Sequence, residues 1–317
     1  MTPDLPPLIV VAGPTATGKT RLGVELALRL GGEVVNADSR YLYRGLDIGT
    51  AKPTAAEMRG VPHHLIDVRE PTDDMSLATY QALAYAAIDD VLGRRRLPIL
   101  VGGTPLYVNA VVEGWRIPAV APHPEVRARL EEEIAREGLE AVAGRLGSVD
   151  PVAAERSGRN ARRVVRALEV FEVTGRPMSE LEGKGPPRYA PITLVLTLDQ
   201  AALHARIDRR VDEQIAAGLL DEVRGLLAAG VPADAPAMSS IGYRQLVPVI
   251  DGRADLAEGV EAIRRDTRRY VKHQLTWLKR ARDVVAVDVG RTAWVDEAAE
   301  TVAAALAARG REVRGQP

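Results

Sequence analysis

The chain of 317 residues has no cysteine, which excludes disulfides, thiolate zinc sites and cysteine nucleophiles and makes a reducing compartment the natural expectation. It has no stretch approaching the roughly 18 apolar residues of a membrane span. The opening MTPDLPP has neither the basic region nor the apolar run of a signal peptide. A cytoplasmic protein with no membrane association is therefore expected. Net charge is missing too, with 42 basic against 43 acidic side chains. The total does not point to nucleic acid, so an RNA surface has to come from where the charges sit. The adjacent His63 and His64 have no third ligand spaced to join them, and they read as structural rather than metal-binding.

What is present is enough apolar sequence, 46% of the chain, to bury a sizeable core. Short runs rich in β-branched residues read as buried strands: LIVVAG from Leu8, EVVNAD from Glu33, PILVGG from Pro98, ITLVLTLD from Ile192 and DVVAVDV from Asp283. Leu22, Leu26 and Leu30 recur every four residues after the first run, and Leu203, Ile207 and Val211 after the fourth, as core-facing helix stripes do. Alternating strands and helices predict an α/β fold, a parallel sheet flanked by helices. From about Pro118 to Pro191 the strand runs give way to helical, Arg- and Glu-rich sequence, entered through Pro118, Pro122 and Pro124 and left through GKGPPRYAP. The expected organisation is a catalytic core at 1–117 and 191–290, a helical insertion domain at 118–190, and a C-terminal helical extension at 291–317 whose tail from Gly310 frays.

Gly13, Pro14, Thr15, Ala16, Thr17, Gly18, Lys19 and Thr20 form GPTATGKT, which fits G-x-x-x-x-G-K-[ST] between a predicted strand and a predicted helix. In that context glycines let backbone N–H groups wrap phosphate oxygens, Lys19 adds a point charge, and the Thr20 hydroxyl is placed to ligate Mg²⁺. The fold is thus P-loop NTPase-like, and the loop is expected to bind the phosphates of a diphosphate or a nucleotide. Asp38 ends the second strand, where ligands collect in open parallel sheets. Its carboxylate suits three tasks: assisting Mg²⁺, binding an acceptor hydroxyl, or taking a proton from an amine nucleophile. Arg206 and Arg210 lie one helical turn apart, off the apolar stripe of their helix. Two stretches concentrate positive charge. One holds Arg156, Arg159, Arg162, Arg163 and Arg166; the other holds Arg264, Arg265, Arg268, Arg269, Lys272, Lys279 and Arg280.

NADSRYLYRGLDIGTAKPT from Asn36, PHHLIDV from Pro62, VGGTPLYVNAVVEG from Val101, RRVVRALEV from Arg162, IGYRQL from Ile241 and VKHQLTWLKR from Val271 follow one another along the chain. Together, and in this order, they resemble the tRNA dimethylallyltransferases. The resemblance implies transfer of a dimethylallyl group from dimethylallyl diphosphate to the N6 amine of the adenosine immediately 3′ of the anticodon, in tRNAs reading codons that begin with U, with Mg²⁺ as cofactor. It implies Asp38 as general base and Thr104 as a hydroxyl beside the diphosphate and the reacting adenosine. Gly102 and Gly103 allow close backbone approach there. The Lys19 loop and Arg210 are implied around the diphosphate. For tRNA it implies Asp38, Ser39, Arg40 and Tyr41 at an extruded base, with Arg162, Arg163, Arg166, Arg268 and Lys272 on phosphates of the anticodon stem-loop. Tyr41, Tyr43 and Tyr107 suit either base stacking or core packing. No obligate protein partner is implied, and a monomer is expected. Taken without the resemblance, the same residues also suit a small-molecule kinase, a transferase acting on free adenylate, or an RNA-binding protein without chemistry.

Overall fold

A computed structural model describes residues 5–309; the start of the chain and the tail from Gly310, for which fraying is expected, lie outside them. The strands are β1 Pro7–Ala12, β2 Gly32–Asn36, β3 His63–His64, β4 Leu97–Gly102, β5 Trp115–Arg116, β6 Gly183–Lys184, β7 Ala190–Thr197 and β8 Val284–Asp288. Six of them make one parallel sheet in the order β3-β2-β4-β1-β7-β8. Leu8, Ile9, Val10 and Val11 of β1 are fully buried, because a central parallel strand is covered on both faces and needs an unbroken apolar run. In register, Val11 lies opposite Val101 of β4 and Leu194 of β7.

Helices α1 Lys19–Leu30, α2 Ala55–Met58, α3 Leu77–Gly93 and α4 Pro105–Val112 fall between the first strands and just after β4. Leu22 and Leu26 of α1 are fully buried and join Ile9, Val11, Ile99 and Leu196 in one core cluster. The helix ends at Gly31, whose left-handed backbone returns its N–H to the Ala27 carbonyl. Strand β3 was not expected, since two residues carry no alternation to read. It pairs with β2 at the sheet edge, where the His64 ring lies 2.7 Å from Glu33 and the His63 ring 2.9 Å from the Val61 carbonyl.

The chain forms two compact units, one of them built from the chain up to Met75, Tyr80–Val112 and the chain from Arg188, the other from Ser76–Thr79 and Glu113–Pro187. The second unit holds α5 Pro124–Glu137, α6 Leu139–Val149, α7 Pro151–Ser157, α8 Ala161–Thr174 and α9 Met178–Leu181. They close on a small core of Leu130, Val142, Leu146, Val164 and Leu168. Asp150 and Asn160 start α7 and α8 by accepting from Ala153 N and Arg163 N, as N-cap residues do. The antiparallel pair β5 and β6, Trp115 opposite Lys184, gives this unit a strand element that its sequence does not announce. At its centre the fully buried Glu169 accepts from His123 N, Arg127 and Arg166. Burial pushes its carboxyl up, but those donors outweigh burial and hold it below the ordinary range.

The first unit continues with α10 Gln200–Ala216, α11 Leu219–Ala228, a single 3-10 turn Ala237–Ser239, α12 Tyr243–Ile250, α13 Leu256–Leu278 and α14 Trp294–Ala307. Val211, Leu219, Val223, Tyr243, Leu246 and Ile263 knit α10 to α13 into a second core beside the sheet. Among the described residues no helix is long and apolar enough to cross a membrane.

Candidate active site

The carboxyl ends of β1, β2 and β4 are neighbours in the sheet, so the loops that leave them meet, as expected for ligand sites in open parallel sheets. The loop from Gly13 to Thr20 joins β1 to α1. Its Pro14 carbonyl accepts from both Thr17 Oγ1 and Lys19 Nζ, each at 2.8 Å, which folds the loop around its own backbone. Burial, with Arg210 nearby, brings the Lys19 ammonium down to about 8, against the opposing pull of Asp38. The lysine therefore sits where an added anion would restore its charge strongly. Arg210, on α10, donates to Thr15 Oγ1 at 3.1 Å and to the Thr50 carbonyl at 3.0 Å, so a second cation is fixed on the same loop. Arg206 turns away toward the Val289 carbonyl, 3.4 Å from it.

Asp38 leaves β2 in a tight turn built by Asn36, a buried residue that sequence reasoning passed over. Asn36 accepts from Asp38 N at 2.8 Å and donates to the Asp38 and Leu65 carbonyls. One carboxylate oxygen of Asp38 accepts from Arg40 N at 3.0 Å; no hydrogen bond among the described residues engages the other. Ser39 N donates to Thr104 Oγ1 at 3.0 Å, and Thr104 Oγ1 lies 3.3 Å from Ser39 Oγ. The loop after β2 is thereby pinned to the loop after β4. That approach needs Gly102, where a Cβ would lie 2.1 Å from the Ala37 carbonyl carbon and oxygen.

Two side chains from α13 complete the cluster, and neither was anticipated as a site residue. Gln274 is 2% exposed; its Oε1 accepts from Thr15 N at 3.0 Å and its Nε2 donates to the Gly103 carbonyl at 2.6 Å. One turn earlier, the Tyr270 hydroxyl donates to the same carbonyl at 3.3 Å. Burial and the charge of Asp38 push that phenol up to about 12, against hydrogen bonds from Thr104 and Gln274. Both residues lie in or beside VKHQLTWLKR, but helical periodicity alone marks Gln274 only as a polar residue in a basic segment. Burial is the signal that identifies it.

The segment after Asp38 is a long loop held from several sides. Tyr41 donates to the Ala51 carbonyl at 2.8 Å, and burial with the Asp38 charge pushes its hydroxyl up to about 12, against Arg210 and a hydrogen bond with Thr20. The buried Lys52 donates to the Tyr43 carbonyl and to Asp67 and Asp47. Glu222 accepts from the backbone of Asp47, Ile48 and Gly49, and Gln214 donates to the Ile48 and Gly49 carbonyls. Arg40 reaches the Pro236 carbonyl and Ser239. Of the aromatic candidates, Tyr43 is buried in the second core, and Tyr107 stacks on Tyr80 with ring centroids 3.6 Å apart. Both are packing residues. Arg244 and Gln245 of IGYRQL both bond Asp266.

The basic candidates divide. In the second unit, Arg162 and Arg163 are exposed on α8, Arg163 touching the Arg156 carbonyl. Arg166 is instead bonded to the buried Glu169 and the Val120 carbonyl. On α13, Lys272 is exposed with Arg265 and Arg269, while Arg268 is paired with Asp208 of α10. No group of three or more acidic or histidine side chains placed to hold a metal occurs among the described residues. The donors beside the loop, Thr20 and Asp38, fit Mg²⁺, which takes one or two protein ligands with phosphate oxygens and water as the rest.

An IPP transferase family model matches residues 41–281. The chain is 54% identical to a tRNA dimethylallyltransferase of Thermomicrobium roseum over 301 residues, 95% of this chain and 92% of that protein. It is 51% identical to one of Roseiflexus castenholzii over 282 residues, 89% and 92% of the two chains. The crystal structure of the full-length tRNA isopentenylpyrophosphate transferase of Bacillus halodurans superposes with a TM-score of 0.72 at 39% identity, covering 96% of this chain and 97% of the other. A eukaryotic dimethylallyltransferase acting on tRNA shares the fold at a TM-score of 0.80 and 23% identity, over 98% of this chain and 81% of that one.

Proposed function

This chain belongs to the IPP transferase family, and from that premise we propose that it transfers a dimethylallyl group from dimethylallyl diphosphate to the N6 amine of the tRNA adenosine immediately 3′ of the anticodon, in tRNAs reading codons that begin with U, releasing diphosphate. The observation that carries this reading is the meeting of a phosphate loop with a carboxylate that keeps one oxygen uncommitted. Lys19 and Arg210 bear on the loop, and Asp38 stands beside Thr104 on the adjoining strand ends.

In the reaction the N6 lone pair forms a bond to C1 of the allyl group while the C1–O bond breaks and its electron pair leaves with the diphosphate. The amine proton passes to Asp38. An adenine N6 lone pair is delocalised into the ring and is a poor nucleophile, so a base that takes the proton as the bond forms contributes roughly 10²–10⁴-fold. Negative charge grows on the departing oxygen, and Lys19, Arg210 and the loop amides stabilise that charge more than they stabilise the bound donor. Thr104 donates to the same oxygen. Thr20 would hold Mg²⁺, which would supply charge neutralisation to the leaving group when bound.

The base must be turned out of the anticodon loop to reach Asp38, and Asp38, Ser39, Arg40 and Tyr41 line its entry. Arg162 and Arg163 on α8, and Lys272 on α13, supply phosphate contacts that confer affinity without reading sequence. The decisive experiment incubates the protein with labelled dimethylallyl diphosphate, Mg²⁺ and either undermodified tRNA or AMP, following label and released diphosphate. Label in tRNA alone is expected. Label in AMP alone, or ATP-dependent phosphorylation of a small molecule with no label in either acceptor, replaces this reading.

A further inference from the structure

We propose that Gln274 is a positioning residue whose single buried carboxamide sets the phosphate loop and the Thr104 loop at a fixed distance from each other. The inference rests on the reading that leaving-group and acceptor chemistry meet here, and it concerns a residue that would touch neither substrate. The helix that carries it is firmly placed. Asp255 and Glu258 cap its start reciprocally, and Val271 and Leu275 pack with Leu203 and Ile207 of α10. Residues 270 and 274 are then neighbours on one face of α13, one turn apart.

A carboxamide is the group that offers an acceptor and a donor a little over 2 Å apart on one rigid plane. Both halves are used: Oε1 on Thr15 N at 3.0 Å, Nε2 on the Gly103 carbonyl at 2.6 Å. The fit leaves little freedom, since a Cβ on Gly103 would lie 2.7 Å from Nε2 and 3.4 Å from Lys19 Nζ. One residue on, Thr104 is held by Ser39 N and in turn holds the turn that presents Asp38. A continuous path therefore runs from the Thr15 backbone of the phosphate loop, through Gln274, to Thr104 and the turn that carries Asp38. Displacement of reacting groups by about 1 Å costs on the order of 10² in rate. A neutral group serves best between the loops, because a carboxylate there would face both the Gly103 carbonyl and the incoming diphosphate.

The test compares wild type, Gln274→Met, Thr104→Val and the double variant, with methionine chosen to keep length and volume while removing both polar atoms. Four quantities are read: single-turnover transfer at saturating donor, Mg²⁺-pyrophosphate affinity by calorimetry, tRNA affinity, and far-ultraviolet circular dichroism. We expect Gln274→Met to lower the transfer rate ~10- to 100-fold and to weaken pyrophosphate about tenfold through Thr15 N, with tRNA affinity within about twofold and an unchanged spectrum. In the cycle, the double variant should be no more than about threefold slower than Thr104→Val, because both act on one unit. A wild-type rate and pyrophosphate affinity in Gln274→Met, or losses that multiply in the double variant, overturns the proposal; so does a parallel loss of tRNA binding. If the wild type transfers no allyl group at all, the functional reading fails by itself. The pyrophosphate comparison still decides whether Gln274 sets the loop.

Discussion

Asp38 is tied by its backbone and by one oxygen, and its other oxygen, which no hydrogen bond among the described residues engages, is the one the proposed reaction uses to take the acceptor proton. Replacing it with asparagine keeps the turn, because the amide oxygen still accepts from Arg40 N, but removes the base. Asp38→Asn should lower single-turnover transfer by ~10²-fold or more while leaving tRNA affinity unchanged; equal rates would take Asp38 out of the chemistry. Lys19 gives a prediction in pH. Its ammonium is brought down to about 8, so the cationic form that attracts phosphate dominates below that pH and is lost above it. Calorimetric pyrophosphate affinity should fall as pH rises from about 7 through 9 in wild type, and Lys19→Met should bind weakly with no such fall. A flat wild-type profile would show that the loop amides and Arg210 suffice.

Helix α13 shows why a charge stretch has to be sorted by face. Arg264 and Arg268 project toward α10 and pair with Asp212 and Asp208, whereas Arg265, Arg269 and Lys272 are exposed. Arg269→Ala with Lys272→Ala should therefore weaken tRNA binding and reduce the slope of log affinity against log salt by roughly 1–2. Arg268→Ala should act on stability instead, and an unchanged slope in the first pair would return that face to plain solvation. In the helical unit, α8 contributes the buried Glu169 to a charge cluster whose arginines, Arg127 and Arg166, are partly exposed. Glu169→Ala leaves Arg127, Arg166 and His123 N without their acceptor and should destabilise this unit by about 1–3 kcal/mol, as loss of charge-assisted hydrogen bonds from partly exposed donors does. Urea unfolding reports it. The sign with pH follows from a carboxyl held below its ordinary value: its stabilisation is present above the unfolded value near 4.5 and is lost as pH falls through the lowered one. The variant should accordingly lose less stability on acidification than wild type.

At the scale of the whole molecule, the candidate site is assembled from the ends of three strands and from two helices whose residues there, Arg210 and Gln274, are 64 positions apart in sequence. Ligand binding should therefore stiffen distant segments together. Mg²⁺-pyrophosphate at 100 times its dissociation constant should stabilise the folded chain by about 2.7 kcal/mol. Amide exchange should slow in 13–20, 38–54 and 101–104, with little change in the core of α5 to α8. Protection confined to 13–20 would show that the loops are not linked in this way.

The centre of the parallel sheet was legible in the sequence because β1, β2 and β4 are buried on both faces and so appear as unbroken apolar runs, as in Leu8 to Ala12. The loop from Gly13 to Thr20 was legible as a motif because G-x-x-x-x-G-K-[ST] is a run of adjacent residues, and Asp38 stood out by its place just beyond the end of β2. Strand β3 and the pair β5 and β6 were not, since two residues each leave no period to detect. Tertiary structure alone decided which polar residues became internal. Asn36, Lys52, Glu169 and Gln274 are buried, and nothing local distinguishes them from solvated neighbours. It likewise separated Arg268 and Arg166, spent on Asp208 and Glu169, from Lys272 and Arg162, which face solvent. A hydrogen bond between Thr15 and Gln274 joins residues 259 positions apart. Such contacts depend on how α13 packs against α10, so their partners appear only once the chain has folded.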